Sequence, residues 1–214
     1  VVCDEPLYAH YLAVTGIEHP GAAEVVEHHE TDWKKVAAGL TGPLPAGKTI
    51  FFQKHMAHHL LSEIGRDWLE ALTHCFLIRD PHEMLTSLIQ QLPEPTLADT
   101  GLPQQLELFA WAHDRTGTIP PVLDARDVLD DPERLLRLLC EAVGVPFDAR
   151  MLEWEPGPRP TDGVWGKHWY GAVERSTGFR PYAPKLEELP DRLRKLHAHC
   201  VGYYRRMHHH RLGR

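Results

Sequence analysis

Four short apolar runs punctuate the chain: Val1–Cys3, Ile50–Phe52, Cys75–Ile78 and Val122–Leu123. Each is unbroken rather than alternating, the pattern of strands buried on both faces in a parallel sheet. Between them the apolar positions take up helical spacing. Val25, Val26, Trp33, Val36 and Ala37 predict one helix over 22–40, and others are predicted over 84–90, 104–115 and 132–143. In the last of these Leu135, Leu136, Leu138, Leu139 and Val143 form the core side, and Gly144 supplies the C-cap. Residues 155–184 lose periodicity and gain Pro, Gly and Trp, which predicts an irregular lid or substrate wall, and a final helix is predicted over 190–207. Alternation of strand and helix implies an α/β fold with right-handed crossovers. The predicted strands end at Asp4-Glu5, Gln53-Lys54, Arg79-Asp80 and Asp124. In a parallel sheet those ends share one edge, where open α/β folds place a ligand.

Composition narrows the partner classes. The 214 residues suit one sizeable domain, and 43% hydrophobic with 25% charged residues is ordinary for a soluble globular chain. A net charge of −7 argues against nucleic acid or an anionic membrane surface as partner, though local charge still decides whether an anionic small molecule binds. No apolar stretch reaches the roughly 20 residues needed to span a bilayer. Cys3, Cys75, Cys140 and Cys200 are widely spaced and read as reduced, mostly buried thiols of a cytoplasmic protein. The spacing of residues says nothing decisive about homo-oligomerisation, which stays open.

The candidate chemistry centres on Arg79. An apolar strand delivers this guanidinium to a turn, Asp80 is set to cap the next helix, Pro81 suits its first position, and Glu83 would complete a capping box with Asp80. A guanidinium so placed suits a doubly charged phosphate. Arg79-Asp80-Pro81 with Ser87, eight residues after Arg79, resembles the 3′-phosphate-binding motif of the sulfotransferases. Further segments are similar to bacterial sulfotransferase-like proteins: Asp4-Glu5-Pro6, Lys54-x-Met56-x-x-His59, Asp131-Pro132-Glu133, Gly144-Val145-Pro146-Phe147, Gly163-Val164-Trp165, Lys167-His168-Trp169 and Ser176-Thr177-Gly178-Phe179.

The resemblance implies a single sulfotransferase-like domain over 1–214, of the P-loop NTPase superfamily, with a central parallel sheet between helical layers. It implies a metal-free transfer of a sulfuryl group from 3′-phosphoadenosine 5′-phosphosulfate to a hydroxyl or amine of a small acceptor, leaving 3′,5′-adenosine bisphosphate. Arg79 and Ser87 would hold the nucleotide, with Arg159, Lys167 and Trp165 as further candidates, the first two as phosphate contacts and Trp165 as a stacking surface for adenine. Arg159 and Lys167 read equally as surface charge, Trp165 equally as core. Glu5 is the first choice of base and His59 the second, with Lys54 stabilising the leaving phosphate. The bland alternatives are a helix-capping carboxylate for Glu5, a packed histidine for His59 and a solvated lysine for Lys54.

One family feature is not found in the chain, the strand, loop and helix that grip the 5′-phosphosulfate. The expectation is an incompletely represented longer protein, since the chain opens on Val1-Val2-Cys3 without Met, or else a degenerate member without transfer activity. That second option, a non-catalytic nucleotide-binding or interaction module, is the rival to the enzyme. A P-loop kinase or nucleoside triphosphatase is the weaker alternative. Gly42-Pro43-Leu44-Pro45-Ala46-Gly47-Lys48-Thr49 formally fits G-x-x-x-x-G-K-[ST], but it precedes a strand, and Pro43 and Pro45 lack the N–H groups that cradle phosphate. A Pro-Gly turn is the expectation there. His55 and His59 would share a face if helical, yet no further ligand set accompanies them, so no metal is expected.

Overall fold

Each apolar run contains or leads into a short strand that pairs with one other strand, and Val122 also bridges Arg211 near the C-terminus. The computed structural model describes residues 1–214. In chain order its strands and helices are β1 (Val2–Asp4), α1 (Tyr8–Thr15), α2 (Ala22–His28), α3 (Trp33–Leu40), β2 (Phe52–Lys54), β3 (Phe76–Ile78), α4 (Pro81–Leu88), α5 (Leu102–Thr116), β4 (Val122–Asp124), α6 (Ala125–Asp130), α7 (Pro132–Val143), α8 (Gly166–Trp169), α9 (Gly171–Glu174) and α10 (Arg194–His208). The mixed α/β class and the parallel pairing stand, in the form of two two-stranded ladders, β1–β2 and β3–β4. With one neighbour each, β1, β2 and β3 are not buried on both faces: Val2, Phe52 and Leu77 are 48%, 56% and 59% exposed, whereas β4, which also bridges Arg211, is buried throughout.

The chain divides into two compact units. The first comprises residues 1–72 and 155–177. Its core joins Tyr8, Ala9, Tyr11 and Leu12 of α1 to Val25 of α2 and to Trp165. Gly163 is required by that packing, since a Cβ there would meet the Trp165 ring at 2.2 Å. The helix expected over 22–40 is two helices. The chain leaves α2 at an extended His29, and Asp32 restarts it by accepting from the Lys34 N–H at 2.9 Å. Within 155–184, α8 and α9 are helical turns that the lack of periodicity concealed.

The second unit comprises residues 73–154 and 178–214. Ile78 and Val122 of its ladder pack against Phe109 of α5 and Met207 of α10, and Leu123 packs against Val128 and Leu135 of α6 and α7. Asp124 closes β4 and caps α6 through the Arg126 N–H at 2.8 Å, a helix that periodicity did not predict. Helix α7 spans the predicted residues and ends at Gly144 with φ 72°. Of the cysteines, all free, Cys140 and Cys200 are buried, whereas Cys75 lies exposed beside β3 and Cys3 is intermediate, because short two-stranded ladders leave strand residues uncovered. No helix is long and apolar enough to cross a membrane.

Candidate functional site

Arg79 leaves β3 at the point where Asp80 caps α4. The Asp80 carboxylate accepts from the N–H groups of His82 (2.9 Å) and Glu83 (3.3 Å), and Pro81 occupies the first turn. Only this half of the expected capping box forms. The Glu83 carboxylate instead takes Arg79 Nε on Oε2 at 3.2 Å and the Tyr182 hydroxyl on Oε1 at 2.6 Å. Glu83 and Ser87 are four residues apart and share a helix face, so Arg79 Nη1 also reaches Ser87 Oγ, at 3.4 Å. Lys185 Nζ arrives at the same hydroxyl, 2.7 Å away. Ser87 Oγ donates to the Glu83 carbonyl at 3.0 Å and could turn that proton to another acceptor.

Two cations and a hydroxyl thus converge where the Glu83 carboxylate holds one edge of Arg79 and the Asp80 carboxylate is engaged by the backbone N–H groups of His82 and Glu83. Glu83 holds the guanidinium by Nε, Nη1 reaches Ser87, and the Arg79 side chain is 42% exposed. That donor set fits a phosphate dianion: a planar fork, a rotatable hydroxyl and a point charge. Ser87 and Arg79 are brought together as the resemblance implied. Lys185 and Tyr182 were missed as partners, because they lie in an aperiodic segment whose sequence carries no register.

In the first unit Glu5 and Lys54 meet at the ends of β1 and β2. The register pairs Asp4 with Lys54, and the Glu5 N–H donates to the Lys54 carbonyl at 2.8 Å. Lys54 Nζ forms an ion pair and hydrogen bond with Glu5 Oε1, lies 3.2 Å from Asp4 Oδ1, and donates to the Tyr170 hydroxyl at 2.8 Å. Tyr170 in turn donates to Asp4 Oδ2 at 2.6 Å and sits 3.0 Å from Glu5 Oε1. Burial, then the charge of Glu5, pushes the Tyr170 phenol far up, so it stays protonated. Lys54 is therefore no freely solvated lysine. Nothing in the sequence spacing assigns Tyr170 a partner in this network.

His59 is 3% exposed and stacks on Tyr8, ring centroids 4.7 Å apart. Burial above all, with His58, His19, Lys54 and His55 adding repulsion, holds it well below the ordinary imidazole range, a packed neutral histidine. It sits in a single 3₁₀ turn, Ala57–His59, so His55 and His59 share no α-helical face. The remaining candidates are engaged locally. Trp165 is 3% exposed, edge-on to Tyr8 and 3.4 Å from the Tyr170 hydroxyl through Nε1, so its packing reading holds and no ring face is left for a base. The Arg159 guanidinium reaches the Glu155 carbonyl at 3.5 Å, and Lys167 pairs with Glu24 at 2.5 Å. The Gly42–Thr49 segment forms turns ahead of β2 and opens no helix, against the requirement of a phosphate-binding loop.

Two Arabidopsis thaliana proteins, branched-chain-amino-acid aminotransferase-like proteins 2 and 1, are each 35% identical over 178 residues, 83% of this chain. The match takes in 31% and 32% of their lengths, so the chain spans about a third of the curated relatives it matches. A solved structure, the sulfotransferase domain from the curacin biosynthetic pathway, aligns with 92% of this chain and 77% of its own at 14% identity and a TM-score of 0.43. The family model described as Sulfotransferase domain matches residues 1–211, and with that match over nearly its whole length the chain belongs to the sulfotransferase domain family.

Proposed function

We propose that the chain transfers a sulfuryl group from 3′-phosphoadenosine 5′-phosphosulfate to a hydroxyl or amine of a small acceptor. The observation that carries this reading is the convergence of Arg79 Nη1 and Lys185 Nζ on Ser87 Oγ, at 3.4 and 2.7 Å, inside a chain of this family. The nucleotide would supply an activated sulfuryl group, and the protein would contribute positioning and electrostatic stabilisation. Arg79, Ser87 and Lys185 hold the 3′-phosphate. Glu5 receives the acceptor's proton: its hydrogen bonds fall on Oε1, which leaves Oε2 as the accepting atom. Lys54 offsets charge on the leaving phosphate. His59, buried and neutral, supports the packing beneath Glu5 through Tyr8 rather than serving as base.

The engagement of Lys54 with Glu5, Asp4 and Tyr170 favours a second reading, a nucleotide-binding module without transfer. Incubation with 3′-phosphoadenosine 5′-phosphosulfate and a panel of small alcohols, phenols and amines separates the two. The enzyme reading expects acceptor-dependent release of 3′,5′-adenosine bisphosphate, reduced about 100-fold or more in Glu5→Gln, the scale of a lost general base. Nucleotide binding without any release supports the module.

A further inference from the structure

Residues Tyr182 and Lys185, three apart in a segment without regular secondary structure, reach Glu83 and Ser87, four apart on α4. The two contacts differ in kind. Lys185 adds a charge to the anion site, whereas Tyr182 touches only the carboxylate that orients Arg79. Each Glu83 oxygen has its own donor, Tyr182 hydroxyl on Oε1 at 2.6 Å and Arg79 Nε on Oε2 at 3.2 Å. Glu83 is 8% exposed, so a lost donor would not be replaced by bulk water at no cost. The Tyr182 ring is itself held, with the Arg126 guanidinium 4.9 Å over its face. Glu83, as acceptor of its proton, lifts the Tyr182 phenol above its ordinary range, which keeps it a donor.

We propose that Tyr182 is a positioning residue for the anion site: by fixing Glu83 it fixes the rotation of the Arg79 guanidinium, so that Nη1 faces Ser87, the hydroxyl that Lys185 also reaches. This rests on the 3′-phosphate reading of that site and adds a specificity consequence to it. Tyr182 governs the affinity for a 3′-phosphate and not for the rest of a nucleotide.

The test is a double-mutant cycle read by calorimetry with 3′,5′-adenosine bisphosphate, adenosine 5′-monophosphate as control. Tyr182→Phe is expected to weaken the bisphosphate about fivefold, because the hydrogen bond lost is to the carboxylate that orients Arg79 and not to the ligand itself, and to leave the monophosphate unchanged. In an Arg79→Ala background the same substitution should change affinity by less than about twofold, because its route of action is gone. A fivefold loss that persists without Arg79, or an equal loss for both nucleotides, overturns the proposal. Exchange of the Arg79 Nε–H with water, followed by NMR without ligand, gives a second readout: several-fold faster in Tyr182→Phe, with an unaltered circular dichroism spectrum. Unchanged exchange overturns the proposal as well. Absence of bisphosphate binding by the wild type would instead sink the 3′-phosphate reading, and the Nε–H exchange would still decide the role of Tyr182.

Discussion

Glu5 is the one non-glycine residue with positive φ, 41°, a conformation that costs about 1–3 kcal/mol unless its surroundings impose it. They do impose it. Its N–H is tied to the Lys54 carbonyl and its carbonyl accepts the Tyr8 N–H at 3.0 Å, so the residue is pinned between strand and helix while its carboxylate meets Lys54. Lys54→Met should cost about 2 kcal/mol in urea unfolding. Removing one partner strands Asp4 and Glu5, and the 41% exposure of the lysine keeps the loss below that of a fully buried pair. His59 sets a pH dependence. Its folded value is depressed, so below about pH 6.5, the ordinary imidazole value, the unfolded chain binds the proton more readily. Stability should be complete above that pH and fall as pH drops toward the folded value. Melting temperatures from pH 8 to 5 should show that decline, and His59→Phe should flatten it.

At the scale of elements, helix starts depend on single carboxylates: Asp32, Asp80, Asp124 and Asp131 each accept from a first-turn N–H. Asp80→Ala should remove about 1 kcal/mol by urea unfolding, and it should also weaken nucleotide binding because α4 carries Glu83 and Ser87. Legibility in the sequence followed the same physics. Strong caps and long apolar stripes were readable, as at Asp80, at Gly144 and in α7. Asp32 interrupted a stripe that continued past it, which hid the break between α2 and α3. The Arg79–Ser87 pairing was legible because both residues are bound to one strand-helix unit. The contacts of Tyr170, Tyr182 and Lys185 were not, since they come from distant, aperiodic segments where neither caps nor spacing fixes a partner. Burial was overestimated for the strands, whose neighbours on a sheet cannot be counted from a linear pattern.

At the scale of the whole molecule, a chain of net charge −7 that belongs to the sulfotransferase domain family brings two cations, Arg79 and Lys185, to one serine hydroxyl at a strand-helix junction. Ligand that binds only the folded chain stabilises it, by about 2.7 kcal/mol at a hundredfold excess over Kd, so 3′,5′-adenosine bisphosphate should raise the melting temperature by several degrees. The central claim is narrower: the Arg79 guanidinium, oriented by Glu83 beside Ser87 and Lys185, is what recognises the 3′-phosphate. Calorimetry with 3′,5′-adenosine bisphosphate on wild type and Arg79→Ala tests it most directly. The wild type should bind, and the substitution should weaken binding by about 1.5–3 kcal/mol, the range of a charge-assisted hydrogen bond. Equal affinity in the two proteins would contradict the account.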